Sequence, residues 1–91
     1  MTDTVADVLA EAAAILQGDR RANYGEPKDN FARIAAMWSA FLARPLTAEQ
    51  VAWMMVLLKV ARAGHGAGIR DTAVDAAAYA ALAYHLAGDA P

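Results

Sequence analysis

Residues 59–79, KVARAGHGAGIRDTAVDAAAY, decide the fold of this chain. Lys59 and Arg62 end one apolar helical stretch, and the glycine-rich stretch Gly64–Gly68 follows them. Glycine adopts the left-handed backbone conformations that a tight reversal needs. We therefore expect the chain to turn back on itself here, so that the helices on either side pack as antiparallel neighbours.

A reversal centred near position 67 places residues equidistant from that point opposite each other. Charges between apolar helices are costly to desolvate unless they are paired or bound to a ligand. The hairpin is therefore a candidate site. The predicted facing residues are Arg62 with Asp71 or Thr72, Lys59 with Asp75, and Met55 with Tyr79.

The spacing of apolar residues predicts four helices and no strand of useful length. Thr47 and Gln50 form a capping-box pattern at the start of the third helix. That helix has almost no polar face from Val51 to Leu58, which predicts that it is the central, most buried one. The predicted helices run from about Asp3 to Gln17, from Pro27 to Ala43, from Thr47 to Arg62, and from Ile69 or Thr72 to Ala87.

Length and composition indicate one small all-α domain, residues 1–91, built as a four-helix bundle or as paired helical hairpins. Hydrophobic residues make up 58% of the chain, but much of this fraction is alanine. Alanine favours helix and close helix approach, yet it buries little area. We therefore expect oligomerisation, as a homodimer or a higher homo-oligomer, to complete the core.

Charge and cysteine content exclude several classes of function. A net charge of −2 argues against binding of polymeric nucleic acid by phosphate neutralisation. The absence of cysteine excludes disulfides and thiolate metal sites. No secretion signal is visible at the N-terminus, and the longest apolar run is far short of the roughly 20 residues that span a bilayer. We expect a cytoplasmic protein that does not contact a membrane.

The charged residues of the hairpin permit two interpretations. Asp71 and Asp75 are four residues apart, so both carboxylates lie on one side of a helix and can hold Mg²⁺. Lys59 and Arg62 can bind phosphate oxygens directly. Alternatively, Lys59–Asp75 and Arg62–Asp71 are ion pairs that only set the register of the hairpin.

The loop before the second helix supplies further candidates. Arg20 suits bidentate phosphate recognition and Tyr24 suits stacking on a base, although both also fit an ordinary solvated loop. Asn30, early in the second helix, points to a ligand or is simply exposed. No catalytic residue is assigned, and the question of enzymatic activity stays open. The ligand-binding candidates are Arg20, Tyr24, Asn30, Lys59, Arg62, Asp71, Asp75 and Tyr79.

Polar and aromatic landmarks occur in a fixed order through residues 9–86. They are Gly18-Asp19-Arg20, Asn23-Tyr24-Gly25, Asn30-Phe31, Trp38, Leu58-Lys59-Val60-Ala61-Arg62, Asp71, Asp75 and Tyr79-Ala80. This series resembles a small helical domain common in phage and prophage genomes, much of which has no assigned function. The domain looks related to nucleotide modification associated domains, and more distantly to MazG-like all-α nucleotide pyrophosphohydrolases.

The resemblance to the hydrolases implies a helical bundle, oligomeric assembly and magnesium held by acidic residues of two helices. Their signature is Glu-x-x-Glu followed by Glu-x-x-Asp. This chain departs from it, because its glutamates are Glu11, Glu26 and Glu49 and its acidic pair is Asp71-x-x-x-Asp75. Asp75, and Asp71 with it, are the positions that carry over as magnesium ligands.

Three functions follow as hypotheses. The leading one is a phage-encoded nucleotide-binding helical protein that sequesters or processes a nucleotide or another phosphorylated small molecule. The second is a Mg²⁺-dependent nucleoside triphosphate pyrophosphohydrolase. The third is a non-enzymatic interaction module whose apolar helices bind a host factor.

Overall fold

The computed structural model describes residues 4–18, 26–65 and 68–88, and over these residues the chain forms four α-helices and no strand. The prediction of an all-α chain is therefore confirmed. Within the described residues no helix has the length and apolar character needed to cross a membrane. The helices are α1 (Val5–Gln17), α2 (Pro27–Leu42), α3 (Ala48–Arg62) and α4 (Ile69–Leu86).

Local chemistry sets the helix ends. At α1 the Thr4 hydroxyl accepts the Asp7 backbone N–H at 3.1 Å, and the Asp7 carboxylate accepts the Thr4 N–H at 3.0 Å. These bonds lower the pKa of Asp7. The predicted capping box at α3 is confirmed, with Thr47 and Gln50 bonded reciprocally at 2.9 and 3.1 Å. Pro27 is the first residue of α2, where its missing N–H is tolerated.

The helices are arranged around α4, which packs against all three others. Its most extensive contact is with α3, so the two form the predicted hairpin. The helix α1 runs parallel to α4, because Glu11 pairs with Arg70 near the start of α4, whereas Gln17 lines the same cavity as His85 near its end. The helix α2 packs mainly on α3.

Two hydrophobic clusters form the core, one after the other along α4, and Leu16 packs against both. The first joins α2, α3 and α4, and the second joins α1 and α4. The first cluster contains Phe31, Ala35, Val51 and Leu82, and the second contains Ala12, Val74 and Ala78.

The prediction that α3 is the central, most buried helix is wrong. In α3 only Val51 and Ala52 are buried, whereas four residues of α4 are. The alanines of α4 let neighbouring helices approach it from several sides, since small side chains keep the backbones close. The apolar residues of α3 that face away from α4 are uncovered: Trp53 is 45% exposed and Leu57 is 66% exposed. Oligomerisation stays a prediction.

An ion pair fixes the register of α3 on α4. The Lys59 Nζ lies 3.0 Å from the Asp75 Oδ2, and the two side chains are 15% and 35% exposed. One turn further from the glycine-rich turn, Met55 and Tyr79 line the same cavity. Both pairs match the predicted reversal centred near position 67.

The corner between α2 and α3 contains the only non-glycine residue with a positive φ in the described ranges. Ala43, at φ 56° and ψ 36°, ends α2 in the left-handed conformation. The Ser39 hydroxyl braces this corner by accepting the Leu46 N–H at 2.8 Å. A side chain with a Cβ is strained at such a position.

The ion pair predicts energetic coupling between its two residues. In a double-mutant cycle with Lys59→Ala and Asp75→Ala, we expect a coupling free energy of about 1 kcal/mol, because the pair is partly desolvated. Urea unfolding of the four proteins measures it. The matched control is the Arg70–Glu11 pair at 2.9 Å, whose side chains are 36% and 45% exposed. Its expected coupling is below about 0.5 kcal/mol. Equal coupling in both pairs would contradict the register role.

The left-handed residue predicts a stabilising substitution. Ala43→Gly relieves the steric strain of the Cβ, which outweighs the added freedom of the unfolded chain, so we expect a gain of about 0.5 kcal/mol in the free energy of unfolding. Ala36→Gly, at an exposed position inside α2, is the control and should lose about 1 kcal/mol. Thermal unfolding distinguishes them. A loss of stability in both variants would refute the assignment of strain to Ala43.

Candidate functional site

A polar cavity of about 290 Å³ opens where the end of α3 meets the start of α4. Four of the sequence-predicted residues converge there, which brings cations of one helix and carboxylates of the other to one cleft. His65, Gly68 and Thr72 complete the lining. The predicted residues in this cavity are Lys59, Arg62, Asp71 and Asp75.

The charges of this polar cavity differ in their pairing. Lys59 and Asp75 neutralise each other at 3.0 Å. The second predicted ion pair, Arg62 with Asp71, is not formed, and neither side chain is ion-paired to any other described residue. Both are exposed, and an ion pair in water gains little. Asp71 also lies in the first turn of α4, where the helix dipole favours a carboxylate without a partner cation. Arg62 thus retains its donors for another acceptor.

The start of α4 presents backbone donors at the same cavity. Gly68 is the N-cap residue, adopts a left-handed conformation with φ 93°, and provides no side chain to cap the helix. The N–H groups of a first helical turn have no acceptor within the helix. They add to the positive potential on this side of the polar cavity.

An apolar cavity of about 260 Å³ lies further along the same hairpin. The rings of Phe31 and Tyr79 meet edge to face there, with centroids 6.4 Å apart and planes at 89°. Asn30, one of the predicted ligand residues, supplies the only side-chain amide in the lining. The residues of this cavity are Asn30, Phe31, Ile34, Trp38, Val51, Met55 and Tyr79.

The two cavities lie along one face of the hairpin. Met55 lines the apolar cavity and Arg62 lines the polar one, seven residues later on the same face of α3. The helical rise puts them about 10 Å apart along the axis. On α4, Asp75 and Tyr79 are one turn apart and continue the two linings. A single elongated molecule can therefore touch both cavities.

Some site residues were missed by the sequence reasoning, and others cannot be placed. Two lining residues were not among the predicted ligand residues: His65 lines the polar cavity, and Trp38, which also packs against the core, lines the apolar cavity. The position of His65 three residues after Arg62 is the feature of the sequence that could have identified it as a site residue. The predicted ligand residues Arg20 and Tyr24 lie outside the described residues.

A preformed metal centre is not evident among the described residues, which contain no grouping of three or more histidine, aspartate or glutamate side chains. Asp75 is engaged by Lys59, which leaves Asp71 as the carboxylate without a cation. Magnesium often uses one or two carboxylates together with the phosphates of a substrate. Asp71 fits that use, so the magnesium site stays a prediction.

The sequence has recognisable relatives in mycobacteriophages. The "Gene 55 protein" of Mycobacterium phage L5 is 42% identical over 76 residues, which cover 82% of this chain and 49% of the relative. The "Gene 55 protein" of Mycobacterium phage D29 is 38% identical over 73 residues, covering 80% and 48%. The chain thus spans about half the length of the curated relatives it matches. No solved structure matches it.

Residues 7–87 match the family described as a domain of unknown function, DUF6378. The resemblance to a small phage domain of unassigned function is therefore confirmed, whereas the relation to nucleotide modification associated domains and to MazG-like hydrolases stays a prediction. The match covers most of the chain, and the chain belongs to the DUF6378 family of phage-related domains.

Proposed function

We propose that this chain is a phage-encoded nucleotide-binding protein that holds its ligand along the α3–α4 hairpin. The observation that carries the proposal is the placement of an aromatic-lined cavity and a cation-bearing cavity side by side on one face. A nucleotide has the same two parts, a flat base and a charged phosphate, joined by a sugar.

The phosphate end is assigned to Arg62. Its guanidinium has no ion-pair partner among the described residues and can donate two parallel hydrogen bonds to phosphate oxygens. Lys59 contributes less, because Asp75 already neutralises it. The first turn of α4 adds backbone donors beside Gly68.

The base end is assigned to the apolar cavity. A ring inserted beside Phe31, Trp38 and Tyr79 gains apolar burial and aromatic contact. The Asn30 amide has a donor and an acceptor, which suit the edge of a base. Asp71 and Asp75 line the polar cavity, and Asp75 lies one helical turn from Tyr79 of the apolar cavity. Their carboxylates can accept hydrogen bonds from sugar hydroxyls.

The charge of the polar cavity indicates which nucleotide binds best. Two cations face two carboxylates, so the fixed charges of Lys59, Arg62, Asp71 and Asp75 cancel. A cavity without net positive charge does not offset the charge of a triphosphate. A nucleoside monophosphate is therefore the favoured ligand, and a triphosphate needs Mg²⁺, for which Asp71 is the available carboxylate.

Binding is tested by calorimetry with nucleoside mono- and triphosphates, each with and without Mg²⁺. We expect the monophosphate to bind without metal and the triphosphate to bind only with it. Arg62→Ala should weaken monophosphate binding about tenfold or more, since a hydrogen bond to a charged group contributes about 1.5–3 kcal/mol. Arg44→Ala, an exposed arginine outside both cavities, is the control and should bind like the unmodified chain.

Two results would replace this proposal with one of its alternatives. If nucleoside triphosphates with Mg²⁺ are converted to monophosphate and pyrophosphate, and Asp71→Asn abolishes the conversion, the chain is a pyrophosphohydrolase. If no nucleotide binds and the Lys59 and Asp75 variants change only stability, the nucleotide proposal fails and the interaction module is favoured.

A further inference from the structure

The Lys59–Asp75 ion pair lies in the middle of the face that carries the two cavities. On α3, Lys59 follows Met55 of the apolar cavity and precedes Arg62 of the polar one, at about 6 and about 4.5 Å along the helix axis. On α4, Asp75 lines the polar cavity one turn from Tyr79 of the apolar cavity. A ligand that reaches both cavities must therefore pass over this pair.

The ion pair uses only part of the hydrogen-bonding capacity of its two side chains. The Lys59 Nζ lies 3.0 Å from the Asp75 Oδ2, and no other group of the described residues bonds either side chain. A carboxylate has about four acceptor sites and an ammonium has three donors, so both keep unused capacity. Both side chains are also partly withdrawn from water, at 15% and 35% exposed. A ligand that supplies a donor and an acceptor here is therefore favoured.

The chemistry of the pair suits hydroxyl groups better than a phosphate or an apolar ring. A phosphate would lie against the Asp75 carboxylate, and the two negative charges repel each other. An apolar ring would cover both charged groups without replacing the water that it displaces. A hydroxyl is uncharged and can both donate and accept a hydrogen bond. Two adjacent hydroxyls can therefore donate to Asp75 and accept from Lys59 while the ion pair stays intact.

We propose that the Lys59–Asp75 pair binds the 2′- and 3′-hydroxyls of a ribose and makes the site selective for ribonucleotides over 2′-deoxyribonucleotides. The inference rests on the proposed function, which places a base in the apolar cavity and a phosphate at Arg62. The sugar joins those two parts of the ligand, so it lies over the pair between them. A 2′-deoxyribose lacks one of the two hydroxyls and leaves part of the pair without a partner.

The partial exposure of the pair sets the size of this selectivity. Sites built to hold a buried hydroxyl reject the analogue that lacks it by about 10⁴-fold or more. Here water can replace the missing hydroxyl, since the Asp75 side chain is 35% exposed. We therefore expect a preference of about tenfold, at the lower end for a hydrogen bond to a charged group.

Calorimetric titration of the full chain tests the selectivity without any substitution. The ligands are the 5′-monophosphates of adenosine, guanosine, cytidine and uridine and their 2′-deoxy forms, all without metal. For the base that binds best, we expect the ribonucleotide to bind about tenfold more tightly than its deoxy form. Equal affinity, or tighter binding of the deoxy form, would overturn the inference and leave nucleotide binding intact. If no nucleotide of either kind binds, the proposed function fails and this inference fails with it.

The 2′-fluoro form of the same ligand tests whether the hydroxyl donates to a carboxylate. Fluorine is similar in size to a hydroxyl but cannot donate a hydrogen bond. The 2′-fluoro form should therefore bind as weakly as the 2′-deoxy form. Binding as tight as that of the ribonucleotide would contradict the role of Asp75, and this comparison needs no variant that has to fold.

The contribution of Asp75 is measured as the ratio of the ribonucleotide and deoxyribonucleotide affinities. Asp75→Asn keeps the size of the side chain, but it also frees Lys59 to strengthen phosphate binding by both ligands. The ratio cancels that effect and should fall to about threefold or less, because a hydrogen bond between neutral groups contributes less. Glu11→Gln is the matched control, since Glu11 is an ion-paired carboxylate outside both cavities, and it should keep the original ratio.

Two results with these variants would overturn the assignment of the sugar to the ion pair. One is a tenfold preference that survives Asp75→Asn in a protein with an unchanged circular dichroism spectrum. The other is a preference that Asp71→Asn abolishes and Asp75→Asn does not, which would place the sugar at the start of α4.

Discussion

The contact between α3 and α4 is the constraint on which the rest of the structure depends. The Lys59–Asp75 pair, 3.0 Å apart, holds one register of the two helices. Because α1 packs on α4 and α2 packs mainly on α3, a slip of one turn in that register would shift the two parts of the core against each other. It would also separate Met55 from Tyr79 and so disrupt the lining of the apolar cavity that they share. The same pair that orders the fold therefore aligns the two halves of the candidate site.

The helices, their caps and the hairpin register could be predicted from the sequence, because each follows from short-range chemistry. Thr47 and Gln50 bond as their spacing predicts, and the reversal through the glycine-rich turn brings Lys59 to Asp75. The position of α3 could not be predicted in this way. Hydrophobicity shows how much of a helix needs covering, but it does not show whether this chain or another copy covers it.

Only part of the candidate site could be predicted, because residue spacing does not show how exposed a side chain is. Spacing placed Lys59 and Asp75 on facing sides, but it did not show that Arg62 and Asp71 would be exposed and therefore gain little from pairing. Of the aromatic lining, Tyr79 was among the predicted ligand residues, but Phe31 and Trp38 were not, since an aromatic residue in a helix of a small domain is most often core. Membership of the DUF6378 family relates the chain to phage proteins. The proposed chemistry rests on the side chains of the two cavities.

The central claim is that one ligand contacts both cavities of the hairpin. A titration of ¹⁵N-labelled protein with a nucleoside monophosphate, followed by amide chemical shifts, tests it most directly. The account predicts that the Arg62 and Gly68 amides, the Asn30 side chain and the Trp38 indole all shift with the same dissociation constant. Shifts confined to one cavity, or scattered along the exposed side of α1, would contradict it.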